Sequence, residues 1–133
     1  MTEPPAALDG IHHVTLTVSD LDRSVAWYTD VLGFTESHRV EVNGMAKAML
    51  TRDGLLLTLT DHRHLADPGP FSERRTGLDH LAFAVADRVA LEAWADRLDA
   101  LGVARDEVTR GRSGDLIAFR DPDNIALEFY TRS

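Results

Sequence analysis

Ile11-His12-His13-Val14-Thr15-Leu16-Thr17-Val18-Ser19-Asp20 is echoed 67 residues later by Leu78-Asp79-His80-Leu81-Ala82-Phe83-Ala84-Val85-Ala86-Asp87. At this single offset His13 matches His80, Val18 matches Val85 and Asp20 matches Asp87; further on, Ala26 matches Ala93 and Trp27 matches Trp94. The chain therefore reads as two copies of one unit. Such a fold can bring two equivalent histidines together at its junction. Glu128, late in the chain, would complete a set of two imidazoles and one carboxylate, a known open-faced metal site. The plainer reading of the same residues is a pair of hydrogen-bonded strand histidines and a solvent-facing glutamate. Recurrence at one register is what favours the metal.

Around each quoted stretch the pattern predicts the same succession of elements. Ile11 to Val18 alternates as a strand, with Val14, Leu16 and Val18 opposing His13, Thr15 and Thr17. Ser19-Asp20 then caps a helix whose buried face is Leu21, Val25, Tyr28 and Leu32, and Gly33 ends it. Strands over Phe34 to Val42, Met45 to Thr51 and Leu55 to Thr60 follow. Asn43-Gly44 and Asp53-Gly54 separate them and are strong hairpin signals. In the second copy Leu78 to Val85 is a strand. Asp87 caps a helix with Leu91, Trp94, Leu98 and Leu101 on its buried face, and Gly102 follows. Weak strand signals cover Arg105 to Thr109 and stronger ones Leu116 to Arg120. The Asp121-Pro122-Asp123-Asn124 turn leads into a last strand, Ile125 to Thr131. Pro4 and Pro5 mark a short disordered arm. The fold class is α+β: two βαβββ modules at about 9–61 and 77–131, joined by a polar linker at 62–76, in one domain spanning 1–133.

Strand parity sorts the faces. His13, Thr15 and Thr17, then Leu56, Thr58 and Thr60, then His80, Ala82 and Ala84, then Ala126, Glu128 and Tyr130 all oppose the greasy faces. Small or polar side chains from four strands thus point to a shared second face, which is expected to line a cavity. His12 has the opposite parity and is expected at the helix side or the edge.

Composition narrows the function classes. With 133 residues the chain can bury a core without staples. It has no cysteine, which rules out disulfides, thiolate zinc sites and a cysteine nucleophile. A net charge of −8 argues against nucleic-acid binding. No apolar run approaches the roughly 18 residues of a membrane span. Met1 to Leu8 lacks the marks of a secretory signal, so a cytoplasmic location is expected.

The residues quoted so far, with Trp27-Tyr28, Val31-Leu32-Gly33-Phe34, Gly77-Leu78-Asp79-His80 and Asp121-Pro122-Asp123-Asn124-Ile125-Ala126-Leu127-Glu128, resemble the vicinal oxygen chelate superfamily. Its members include glyoxalase I, extradiol dioxygenases, fosfomycin-resistance transferases and bleomycin-resistance proteins. The resemblance implies paired modules forming a half-open barrel around one divalent metal ion (Fe2+, Mn2+, Ni2+ or Zn2+). It also implies a homodimer, with an interface above roughly 1,000 Å², and a small-molecule substrate chelated to the metal through adjacent oxygens. Carried over residue by residue, the ligands are His13, His80 and Glu128. Where glyoxalase I has a fourth ligand this chain has Thr58, a poor ligand for a divalent ion. A three-ligand set suits dioxygenase-like or transferase-like chemistry better than a glyoxalase-type isomerase or lyase. Thr15 and Tyr130 are the candidate catalytic groups; Thr17, Thr58, Thr60, Arg110 and Arg112 are candidate substrate contacts. Neither subfamily matches fully: both have a tyrosine where this chain has Ala118. His62 or His64 is a candidate for the further histidine that the dioxygenases carry upstream of their second metal histidine, beside the metal site without ligating it. A bleomycin-resistance-type role, sequestering a drug or metabolite without chemistry, is the alternative from another class.

Overall fold

The computed structural model of the chain describes residues 3–4 and 6–133. Of the proposed N-terminal arm, Pro5 lies outside the described residues. The first module is β1 (Val14–Thr17), α1 (Leu21–Leu32), β2 (Thr35–Val42), β3 (Met45–Arg52) and β4 (Leu55–Asp61). The second is β5 (Leu81–Val85), α2 (Arg88–Ala100), β6 (Thr109–Arg110), β7 (Asp115–Arg120) and β8 (Ala126–Thr131). Each forms a four-stranded sheet, ordered β1-β4-β3-β2 and β5-β8-β7-β6. In both, the first strand lies parallel to the last and forms one edge. This is the expected α+β pair of βαβββ modules.

Local chemistry fixes the elements where the sequence indicates. The Asp20 side chain accepts from Arg23 N at 3.1 Å and the Asp87 side chain from Ala90 N at 3.0 Å, so each aspartate caps its helix. At the end of α1 the N–H of Gly33 reaches Thr29 O and that of Phe34 reaches Tyr28 O, with Gly33 left-handed at φ 77°. Asn43-Gly44 and Asp53-Gly54 both take positive φ at both positions, which the tight hairpin turns require.

Several boundaries differ from the sequence reading. β1 starts at Val14, and Ile11 is 84% exposed. β5 starts at Leu81. Both histidines therefore stand just before their strands. Leu101 is the residue after α2 and is 48% exposed, outside the helix's buried face. The stretch 105–109 yields only a bridge from Arg105 to Phe119 before the two-residue β6. The linker holds a short 3-10 turn, Arg63–Leu65, and Phe71 packs against the core.

The faces that meet inside the chain are the greasy ones. Leu16, Val18, Leu57 and Leu59 of the first sheet share one core with Ile117, Phe119, Leu127 and Phe129 of the second, together with both helices. Trp27 lies 6.3 Å from Phe119 and Phe34 lies 6.0 Å from Phe83, ring centre to ring centre. The buried Tyr28 hydroxyl donates to Asp121 at 2.8 Å. Arg97 on α2 donates to the Val31 and Asp30 carbonyls at 2.8 and 2.6 Å, satisfying groups that the end of α1 leaves unpaired. With the helix-bearing faces packed together, Thr15, Thr17, Ala82 and Ala84 on the opposite faces are exposed. The cavity expected between the second faces is therefore not closed within one chain.

Candidate metal centre

The second sheet builds half of a site. Register places Ala118 beside Glu128 on one side and Ala82 on the other. Two methyl groups flank the carboxylate, so it stands clear of bulky neighbours. His80, one residue ahead of β5, brings its Nε2 to 3.5 Å from Glu128 Oε1. Its other ring nitrogen, Nδ1, lies 2.8 Å from Asp79 Oδ1. The carboxylate of Asp79 raises the pKa of His80, and the charge of Glu128 adds to this against the opposing effect of burial. Asp79, His80, Ala118, Arg120, Ala126 and Glu128 are among the residues lining a hollow of about 310 Å³.

His13 lies elsewhere. It is exposed at a cleft of about 480 Å³ between the β1 and β5 edges, shared with Leu56, Ala82 and Ala84. Among the described residues no three His, Cys, Asp or Glu side chains form a group able to hold a metal. One chain thus unites His80 with Glu128 and keeps His13 apart. His12 also precedes β1 and is exposed at the same cleft, its Nδ1 2.8 Å from that of His13.

The other candidate residues divide between the two sheets. Thr15 and Thr17 are exposed on β1, while Thr58 and Thr60 on β4 are 7% and 3% exposed. Tyr130 lies one row beyond Glu128 on the same face, and Ser113 N donates to its hydroxyl at 3.3 Å. That backbone N–H is the main cause lowering the phenol's pKa. Gly111 makes the arrangement possible, since a Cβ there would run into the Tyr130 ring and Leu116. Arg110 is engaged by Asp115 at 3.2 Å, and Arg112 is exposed on the same loop. His64 sits against the Asn43-Gly44 turn. Sequence reasoning passed over Asp79 and Arg120. The repeat offset, which aligns Asp79 with His12, was the available signal for the first. Arg120 shares the parity of Ala118 and is held by Glu73 from the linker at 2.9 and 3.1 Å.

Two duplicated modules, each with a histidine at the mouth of its first strand and one with a glutamate beside it, define a recognisable class of proteins. The sequence profile of the Glyoxalase/Bleomycin resistance protein/Dioxygenase superfamily matches residues 10–129. The chain belongs to that superfamily. It is 30% identical to the metallothiol transferase FosB of Staphylococcus epidermidis over 131 residues, covering 95% of this chain and 86% of the relative. A crystal structure of a glyoxylase/bleomycin resistance protein/dioxygenase domain from Frankia sp. EAN1pec superposes with a TM-score of 0.86 at 38% identity, covering 94% of this chain and 93% of that one. A mutant of the fosfomycin resistance protein FosX of Listeria monocytogenes, solved with Mn(II) and 1S,2S-dihydroxypropylphosphonic acid, shares the fold. Its TM-score is 0.70 at 22% identity, covering 93% and 90% of the two chains.

Proposed function

We propose that the protein is a divalent-metal-dependent enzyme acting as a homodimer, each metal being held by His80 and Glu128 of one subunit and His13 of the partner subunit. One observation carries this reading: the chain brings two of the three donors together while His13 stands exposed on the other sheet. The open β1 and β5 edges, at the cleft where His13 lies, are edges that proteins normally pair or cover. A second copy docked there would close the cavity that one chain leaves open.

The donors present suit such an ion. Two imidazoles and one carboxylate leave coordination positions free, and Asp79 holds His80 with Nε2 turned toward Glu128. Manganese is favoured by the FosX complex, and thiol-transfer chemistry on a small molecule with adjacent oxygens by the likeness to FosB. A bound metal supplies Lewis acidity and a template. The protein's own part is positional. Ala118 and Ala126 leave the hollow open next to Glu128 for a substrate bulkier than a tyrosine at position 118 would admit. Tyr130, its proton loosened by the Ser113 N–H, is placed to hold or release a proton at its hydroxyl. Arg112 is exposed and placed to meet an anionic group, whereas Arg110 is tied to Asp115. Thr15 and Thr17 present hydroxyls from the facing sheet. Thr58 and Thr60, being buried, shape that wall.

Subunit complementation tests the reading. His13→Ala and Glu128→Ala chains are co-expressed with different tags, and the heterodimer is isolated. Each variant homodimer should bind no manganese tightly. The heterodimer should recover one intact site, because one chain supplies His13 and the other supplies His80 and Glu128. A heterodimer that binds no better than the homodimers would overturn the shared site.

A further inference from the structure

In each module the residue just before the candidate ligand histidine touches that histidine's Nδ1. Asp79 Oδ1 lies 2.8 Å from His80 Nδ1, and His12 Nδ1 lies 2.8 Å from His13 Nδ1. The two contacts fall at equivalent positions of the 67-residue repeat. We propose that Asp79 and His12 are positioning residues, which hold the two histidines as the tautomer protonated at Nδ1 and leave each Nε2 lone pair for the metal. The inference rests on the metal reading above; it turns the hold of Asp79 on His80 into a statement about the proton and extends it to His12, which that reading does not assign.

The chemistry follows from what each partner can accept. A neutral imidazole carries one proton, and the hydrogen bond made by one nitrogen decides which nitrogen is free. An ionised carboxylate only accepts, so beside Asp79 the His80 Nδ1 must be the donor. His12 can accept through Nδ1 when its own proton is on Nε2. The ring planes of His12 and His13 lie at 83° with their centres 5.1 Å apart, so the rings do not stack, and the 2.8 Å approach is between the two Nδ1 atoms. The restraints differ in strength. A carboxylate accepts a stronger hydrogen bond than a neutral ring does, so Asp79 is the firmer of the two. Outer partners of metal-bound histidines typically contribute about 10–100-fold to metal affinity.

Two measurements separate this role from a merely structural one. In the metal-free protein, at a pH where the rings are neutral, 15N chemical shifts of the imidazoles should show His13 and His80 protonated at Nδ1. Asp79→Ala should move His80 toward the Nε2-protonated form, and His12→Ala should do the same for His13. In manganese titrations Asp79→Ala should lose affinity near the upper end of the range of about 10–100-fold, and His12→Ala near the lower end. Asp79→Asn and His12→Asn keep a carbonyl acceptor and should restore most of the tautomer and most of the affinity. Wild-type rings protonated at Nε2, or tautomers unmoved by the alanine variants, would overturn the proposal. A wild-type dimer that takes up no manganese would instead defeat the metal reading, and the 15N measurement would then decide the orienting role alone.

Discussion

Replacing Tyr28 with phenylalanine should cost the protein about 2 kcal/mol of stability near neutral pH. Tyr28 is fully buried on α1, and its hydroxyl donates to Asp121 Oδ2 at 2.8 Å in the other module. Asp121 is itself 6% exposed. Its other oxygen accepts from the backbone N–H groups of Asp123 and Ile125 at 2.9 and 2.8 Å. Without the hydroxyl, Oδ2 loses the donor the structure gives it, and a buried charge is left partly unpaired. Hydrogen bonds to charged groups contribute about 1.5–3 kcal/mol, which sets the figure. For a domain of this size the melting temperature should fall by about 8 °C. The pH dependence is a second check. Burial raises the Asp121 pKa above the ordinary carboxylate value, while the Tyr28 hydroxyl works to lower it. The folded state therefore holds the Asp121 proton to a higher pH than the unfolded chain does. Stability from this group is lost as pH rises from the unfolded value through the folded one. Removing the hydroxyl raises the folded value further, so the penalty should be full above that window and should shrink as pH falls below it. Burial keeps the Tyr28 phenol protonated throughout. Urea denaturation of both proteins at pH 7.5 and at pH 4, at one protein concentration because the stability of the proposed dimer would depend on it, measures the effect. A loss below about 0.5 kcal/mol, or one that does not change with pH, would refute the account of Tyr28 as the neutral donor to a charged Asp121.

Two further outcomes follow from the packing. Arg97→Ala removes both donors to the Asp30 and Val31 carbonyls and should cost about 1–2 kcal/mol, seen as a lower melting temperature, whereas Arg97→Lys should retain part of it. Gly111→Ala drives a methyl group into the Tyr130 ring, so it should displace that ring and shift the tyrosine's spectroscopic titration while the protein stays folded.

The repeat made most of the fold legible before any coordinates. Both helix caps, both hairpin turns and the parity of β1, β4, β5 and β8 follow from residue types whose conformational demands are local. The strand starts were misplaced because the apolar residues Ile11 and Leu78 prolong the run that reads as strand, although each has the parity of its histidine and pairing begins only at Val14 and Leu81. Leu101 fits the helical period of α2, yet the helix ends at Ala100 and Leu101 is exposed. Those are tertiary facts that a pattern cannot carry. For the site, parity put Glu128 and Tyr130 on one face and the structure agrees. Parity could not govern His12, His13, Asp79 or His80, since all four precede their strands.

The wider consequence concerns duplication itself. A repeat of 67 residues places one histidine at the mouth of each module, and symmetry alone invites the thought that the two meet. Each module, however, has one greasy face and one small or polar face, and burial of apolar area dominates how they pair. Within the chain the greasy faces pair, through Trp27, Phe34, Phe83, Phe119 and Phe129. The same choice that builds the core therefore turns the histidine-bearing faces outward. In the proposed dimer a chamber lined by both would be completed by another copy, whose first sheet would cover the second sheet of this one. On that reading the dimer is a condition of the site and not an addition to it, because the energy that folds each chain is what separates His13 from Glu128.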